Sequence, residues 1–193
     1  MDAMIRYFES PGEDNTEEVI ELVIERAIER NISHIVVASS SGKTGVKLAE
    51  SAVPKGIKTV VVTYHHGFSK RGEWDMKAGN VKKLKSMNVP IISTIHALSG
   101  AERSITRKLG GPSRVEVIAE ALRSLFGQGL KVCVEISIMA ADCGVIPCKN
   151  DSEIIAIGGT GEGADTAVIL RAAHSNRFFE LEIREILAIP RKR

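Results

Sequence analysis

His34-Ile35-Val36-Val37-Ala38-Ser39, running directly into Ser40-Ser41-Gly42-Lys43-Thr44-Gly45, is the stretch that decides the fold. Its first half is short, apolar and rich in β-branched residues, as a strand covered on both faces must be. Its second half is small and hydroxylated and opens a predicted helix over 43–53, which Pro54 and Gly56 stop. A strand feeding a helix through a tight turn is the unit of a parallel sheet, so the flanks should repeat it.

They do. Upstream, Asn15-Thr16-Glu17-Glu18 reads as a helix start, with Asn15 as cap and Glu18 reaching back. Ile20, Val23, Ile24, Ala27 and Ile28 then recur at helical spacing until Asn31. Downstream, 59–64 is a second strand, 74–87 a polar helix, and 89–95 a third strand. Pro90 cannot donate to a ladder and puts that third strand at an edge. Ser113-Arg114-Val115-Glu116 is a capping box opening a helix that Gly127 ends. Residues 130–141 alternate like a strand at Val132, Val134, Ile136 and Ile138, but run on to helical length, and we read them as a buried helix. Residues 154–157 form a fourth strand, followed by a glycine loop and a predicted helix over 164–174. Phe179, Leu181 and Ile183 alternate with charged residues, which predicts a fifth, half-exposed strand, antiparallel at the other edge. The expected fold class is α/β: one domain over 1–193, a three-layer α/β/α sandwich on a mostly parallel five-stranded sheet.

Composition removes several functions. The 193 residues carry a net charge of +2, with 44% hydrophobic and 26% charged residues, which is neither a disordered chain nor a basic surface for nucleic acid. No run approaches the ~20 apolar residues of a membrane span, and Asp2, Arg6 and Glu9 interrupt any leader-like stretch. A cytoplasmic protein is expected, with no membrane or nucleic-acid partner. Cys133, Cys143 and Cys148 cannot all pair, and Cys143 and Cys148 make a poor zinc site, so buried structural roles and no metal are expected.

Two loops carry the chemistry. In the first, Ser40, Ser41, Gly42, Lys43 and Thr44 combine close backbone approach, hydroxyl donors, a cation and a helix start, a set suited to phosphate. It is not a nucleotide P-loop, because Val37 stands where that motif needs glycine. The alternative is a serine-rich helix cap. The second loop, Gly158-Gly159-Thr160-Gly161-Glu162-Gly163-Ala164-Asp165-Thr166, has four glycines in six residues without dinucleotide spacing. It reads as a phosphate cradle at a helix start or as a plain turn. Asp165 is expected to hold sugar-type hydroxyls or cap the helix. The loop after the second strand holds Tyr64, His65, His66, Gly67, Phe68 and Trp74, a wall for a planar ring or, alternatively, a cover for the next helix. His96 joins the same rim, and His65, His66 and His96 are candidate acid–base groups or anion donors. The stretch from Ala97 to Gly111, with Arg103, Arg107 and Lys108, reads as either a lid or a solvated loop.

Both glycine loops resemble those of the C-terminal domain of pyruvate kinase, and the chain resembles still more the stand-alone archaeal proteins sharing that fold. The resemblance runs from about residue 15 to 189. It implies a sheet in the order 3-2-1-4-5, counting the predicted strands along the chain, with the last antiparallel. It also implies a phosphorylated ligand held between the loops; the stand-alone relatives look like flavin mononucleotide (FMN) binders. Nothing in the sequence has the pattern of the kinase's catalytic barrel, so that activity is not implied. The aromatic and histidine-rich segment 64–74 counts against the sugar bisphosphate of the kinase domain. Three functions remain open: a sensor binding FMN or another phosphorylated metabolite, a flavin-dependent oxidoreductase using the histidines, and a homo-oligomeric scaffold.

Overall fold

The computed structural model describes residues 4–149 and 151–192. Its strands are β1 (Arg6–Phe8), β2 (His34–Ala38), β3 (Lys58–Thr63), β4 (Ile91–Ser93), β5 (Ile154–Gly158), β6 (Thr166–Arg171) and β7 (Glu182–Pro190). Its α-helices are α1 (Thr16–Glu29), α2 (Lys43–Ala52), α3 (Ala78–Ser86), α4 (Gly100–Leu109), α5 (Arg114–Phe126) and α6 (Gln128–Asp142). The strands form one sheet in the order β1-β7-β6-β5-β2-β3-β4.

The three-layer α/β sandwich is as expected, and its cause is visible along the strands. Ile35, Val37, Val61, Ile155, Ile157 and Ile169 face one cluster with Val19, Val23, Leu48 and Leu84 of α1 to α3. The intervening Val36, Val60, Val62, Ile154, Ala156 and Leu170 face a second cluster with Leu130, Val134, Ile138 and Ala119 of α5 and α6. A strand with apolar side chains on both faces can only lie between two helical layers. β2, β3, β4 and β5 pair in parallel, and β4 with its Pro90 flank lies at an edge.

The sheet is larger than the sequence suggested, with seven strands among the described residues instead of five. The predicted helix over 164–174 is strand β6, paired antiparallel with β5 from Gly158↔Thr166 to Ile154↔Leu170. Thr166 to Leu170 is buried throughout. A run apolar on both faces carries no periodicity to separate strand from helix, and two ladders decide for the strand. The predicted fifth strand is displaced. Residues 175–180 form a 3-10 turn with Phe179 exposed, and β7 starts at Glu182. β7 pairs antiparallel with β6, and β1 covers its outer side in parallel and takes the edge. β6 therefore runs against all the other strands.

Smaller differences are local. Asn15 makes no side-chain cap; its Nδ2 donates to Ser10 and Gly12 carbonyls instead. The polar helix begins at Ala78, not Trp74. The stretch expected as a lid or loop contains α4. The capping box at Ser113 and Glu116 is present, and 130–141 lies in a helix as read. Cys133 is buried, but Cys143 is exposed and Cys148 half-buried, contrary to the buried roles expected for those two.

Helix α6 touches the hairpin at backbone distance. A Cβ on Gly129 would lie 2.1 Å from Thr166 Oγ1 and 2.7 Å from Asp165 Oδ1. Gly129→Ala should therefore destabilise the protein by about 1–3 kcal/mol through overpacking. Gly79→Ala, where a Cβ meets nothing within 4 Å, should be neutral or slightly stabilising; urea unfolding of both variants checks the contrast.

Candidate functional site

The carboxyl ends of β2 and β3 open into a cavity of about 190 Å³. β2 lies between β3 and β5, so the chain leaves it in opposite directions and a crevice forms where the two crossovers diverge. The floor is Ala38, Val62, Thr63 and Tyr64; one wall is the first loop, with Ser39, Ser40, Ser41, Lys43 and Thr44. Gly159, Gly161, Glu162 and Gly163 of the second loop form another side. α6 closes the cavity with Lys131, Val132, Glu135, Ile136 and Met139, while Arg103 of α4 and Arg123 and Gln128 reach its rim.

The first loop is a tight turn. Gly42 has φ 87°, and a Cβ there would come 2.7 Å from Asn80 Cβ, so the residue is fixed as glycine by both backbone and packing. Ser39 Oγ accepts from the Gly45 amide at 3.1 Å, and Ser41 Oγ from the Lys43 amide at 3.4 Å. The cap reading thus has substance: the loop's own hydroxyls answer two amides at the start of α2. Lys43 is exposed and bonded to Glu13, which lowers the Glu13 pKa and raises that of Lys43.

The second loop joins β5 to β6 as a hairpin, so no helix start faces the cavity from it, which corrects the expected cradle. Asp165 is fully buried and does not offer itself to a ligand. Its Oδ2 accepts from the Gly12 amide at 3.1 Å and the Thr160 amide at 2.9 Å, and its Oδ1 accepts from Thr166 Oγ1 at 2.7 Å. Thr16 Oγ1 accepts from the Ala164 amide at 3.0 Å. Ala164 and Asp165 therefore strap the loop to residues 12–16, with Thr166 bracing the Asp165 carboxylate. Gly158 and Gly163 are packing positions: added Cβ atoms would meet the Gly129 carbonyl oxygen at 2.3 Å and Thr16 Oγ1 at 2.4 Å. Gly161 differs, with open space around an added Cβ.

The aromatic wall is built from some of its expected members. Tyr64 and Phe68 stack at 4.0 Å and both line the cavity, with the His96 ring 5.6 and 5.1 Å away. His65 lies behind, 5.5 Å from His96. Its Nδ1 is 2.8 Å from the His66 carbonyl oxygen. His66 stacks on Trp74, which packs half-buried against the core cluster and donates to the Tyr64 carbonyl, so Trp74 is cover and not wall. Gly67, with φ 77°, turns the loop back, its amide donating to the Glu73 carbonyl.

Sequence reasoning missed Lys131 and Glu135. Both are nearly buried on one face of α6, hydrogen-bonded to each other, and Glu135 Oε1 also accepts from the Leu98 amide at 2.9 Å. They are the two charged residues of a mostly apolar stretch from Leu130 to Ala141, spaced one turn apart, and that spacing was the available signal. Burial pulls the Lys131 pKa down, against the pull of Glu135. Burial also lowers the His96 pKa, with Glu135 opposing.

Two outcomes follow. Asp165→Ala removes a buried acceptor of three donors and should cost about 3 kcal/mol or more, with hydrogen exchange rising together in residues 10–16 and 159–165. Burial holds the His96 pKa below its ordinary value in the fold, so the imidazole takes up a proton more readily when unfolded. Its contribution is therefore intact above its ordinary value of 6.5 and lost as pH falls from there through its lowered folded value. His96→Gln should flatten the acid side of the stability profile, as measured by urea unfolding at a series of pH values.

A family model described as pyruvate kinase, alpha/beta domain, matches residues 17–170, spanning α1 to β6 and both loops. The chain belongs to that family.

Proposed function

We propose that the chain binds a phosphorylated small molecule in this cavity, and that the ligand is FMN. The observation that carries the reading is convergence: both glycine loops and the Tyr64–Phe68 stack line one cavity at the sheet's switch point. The donor set suits the parts of FMN. Ser40, Ser41, Lys43 and Thr44, at the positive end of α2, suit the phosphate. The backbone of Gly159 and Gly161 along the cavity suits the ribityl chain, and Tyr64, Phe68 and His96 offer a surface for the ring. A bound flavin supplies electron and hydride transfer; the chain's own residues bind, orient and charge-balance it. Arg103, Arg123, Lys131 and Lys43 outweigh Glu135 and Glu162 along the lining, which favours an anion.

Titration with FMN and with riboflavin, followed by flavin fluorescence, tests the reading. FMN should bind, and riboflavin should bind much more weakly. Lys43→Ala should weaken FMN binding by about 1.5–3 kcal/mol if the contact is charge-assisted. Gly161→Val should weaken FMN and riboflavin alike, because it fills space without changing charge. Equal affinity for FMN and riboflavin would remove the phosphate cradle, and binding of neither would remove the flavin.

A further inference from the structure

We propose that Lys131 is a carbonyl-reactive amine, which condenses with the aldehyde or ketone group of a phosphorylated ligand held in the cavity. The inference goes beyond the binding reading and rests on its phosphate part. The first observation is placement. Lys131 is 3% exposed, lies within the first turns of a helix whose neighbouring positions are apolar, and yet lines the cavity. A lysine–carboxylate pair in such a place loses hydration that an apolar pair of equal volume would not need, so packing alone gives no reason for it. The second is orientation. Glu135 Oε2 accepts one of the three ammonium protons, while Glu135 Oε1 is fixed by the Leu98 amide, so a proton acceptor is held on the amine by the backbone. The third is polarity. Burial favours the neutral amine, Arg123 and Arg103 add to that, and Glu135 works against it. The phosphate-type donors of the first loop stand on another wall of the same cavity.

The step balances without an added reagent. Glu135 takes a proton from the ammonium, and the freed nitrogen lone pair attacks the carbonyl carbon. The carbonyl π pair moves to oxygen, which receives a proton through Glu135. Glu135 then takes a second proton from the carbinolamine nitrogen and delivers it to the hydroxyl, which leaves as water while the nitrogen lone pair forms the C=N bond. An ammonium and a carbonyl become a protonated imine and one water, with no change in oxidation state. The product keeps its positive charge beside the Glu135 carboxylate, so the buried pair is preserved in a new form.

Pyridoxal 5′-phosphate, a phosphorylated aldehyde, is the probe. The full chain is incubated with it, the imine is followed by absorbance and fixed with borohydride, and the modified peptide is mapped. Modification should concentrate on Lys131 and be suppressed by inorganic phosphate. Pyridoxal, which lacks the phosphate, should react roughly tenfold or more slowly. Lys131→Arg keeps the cation but cannot form an imine and should lose the label. Glu135→Gln keeps an acceptor for Leu98 and should move the rising limb of the pH profile to lower pH, since the carboxylate that holds the amine charged is gone. A wild-type map with label on surface lysines and none on Lys131 overturns the proposal. An unchanged pH profile in Glu135→Gln overturns the pair as the reacting unit. Equal reaction of Lys131 with pyridoxal supports the lysine and removes the phosphate cradle; a phosphate-induced rise in melting temperature with Lys131 unmodified removes the lysine and keeps the cradle.

Discussion

Everything at the cavity depends on how closely α6 approaches the β5–β6 hairpin. Gly158 and Gly129 meet main chain to main chain, at a distance no Cβ would fit. This contact fixes the height of α6 above the sheet, and with it the position of Lys131 and Glu135 opposite the ends of β2 and β3. A helix spaced by ordinary side chains would stand farther off, at the usual separation of packed layers. The buried pair would then face a wider, wetter opening and lose the environment that sets its chemistry.

The two glycine loops, similar in composition, do different work. The first turns a strand into a helix and uses Gly42 and Gly45 to bring α2 against α3 and β3. The second closes a hairpin and is held from behind by Asp165, which ties it to Gly12. Glycine content alone therefore does not mark where a ligand lies. Of the second loop's glycines, Gly161 is the one that lines the cavity with room around it.

The middle of the sheet was legible because β2, β3 and β5 are short β-branched runs flanked by turn residues, and shortness and branching decide for a strand where periodicity cannot. β6 was not, because a buried run after a glycine loop fits the βα unit as well as a hairpin, and only pairing with β5 and β7 separates them. β1 is three residues long and has no pattern of its own. β7 was placed too early because the alternation at Phe179, Leu181 and Ile183 outweighed the contiguous apolar residues from Ile186 to Ile189. At the cavity, loop residues could be named from chemistry, but not the side each faces. Asp165 points inward to backbone amides, and Trp74 packs against the core cluster. Lys131 and Glu135 were not legible because the pattern of a mostly apolar stretch reports burial and carries no mark of which cavity its few charged side chains face.

Glu13 reaches from the turn before α1 to Lys43, beside the opening where an anion would enter. The chain thereby carries its own tethered carboxylate at that lysine, and an incoming ligand meets a competitor at high effective concentration. A single negative charge has little advantage over that carboxylate, whereas a phosphate dianion displaces it through roughly twice the Coulomb attraction. For an anion held at Lys43, the exposed pair would act as a charge filter, discounting ordinary carboxylates and passing doubly charged groups, and rising ionic strength would blunt the filter by screening both contenders alike.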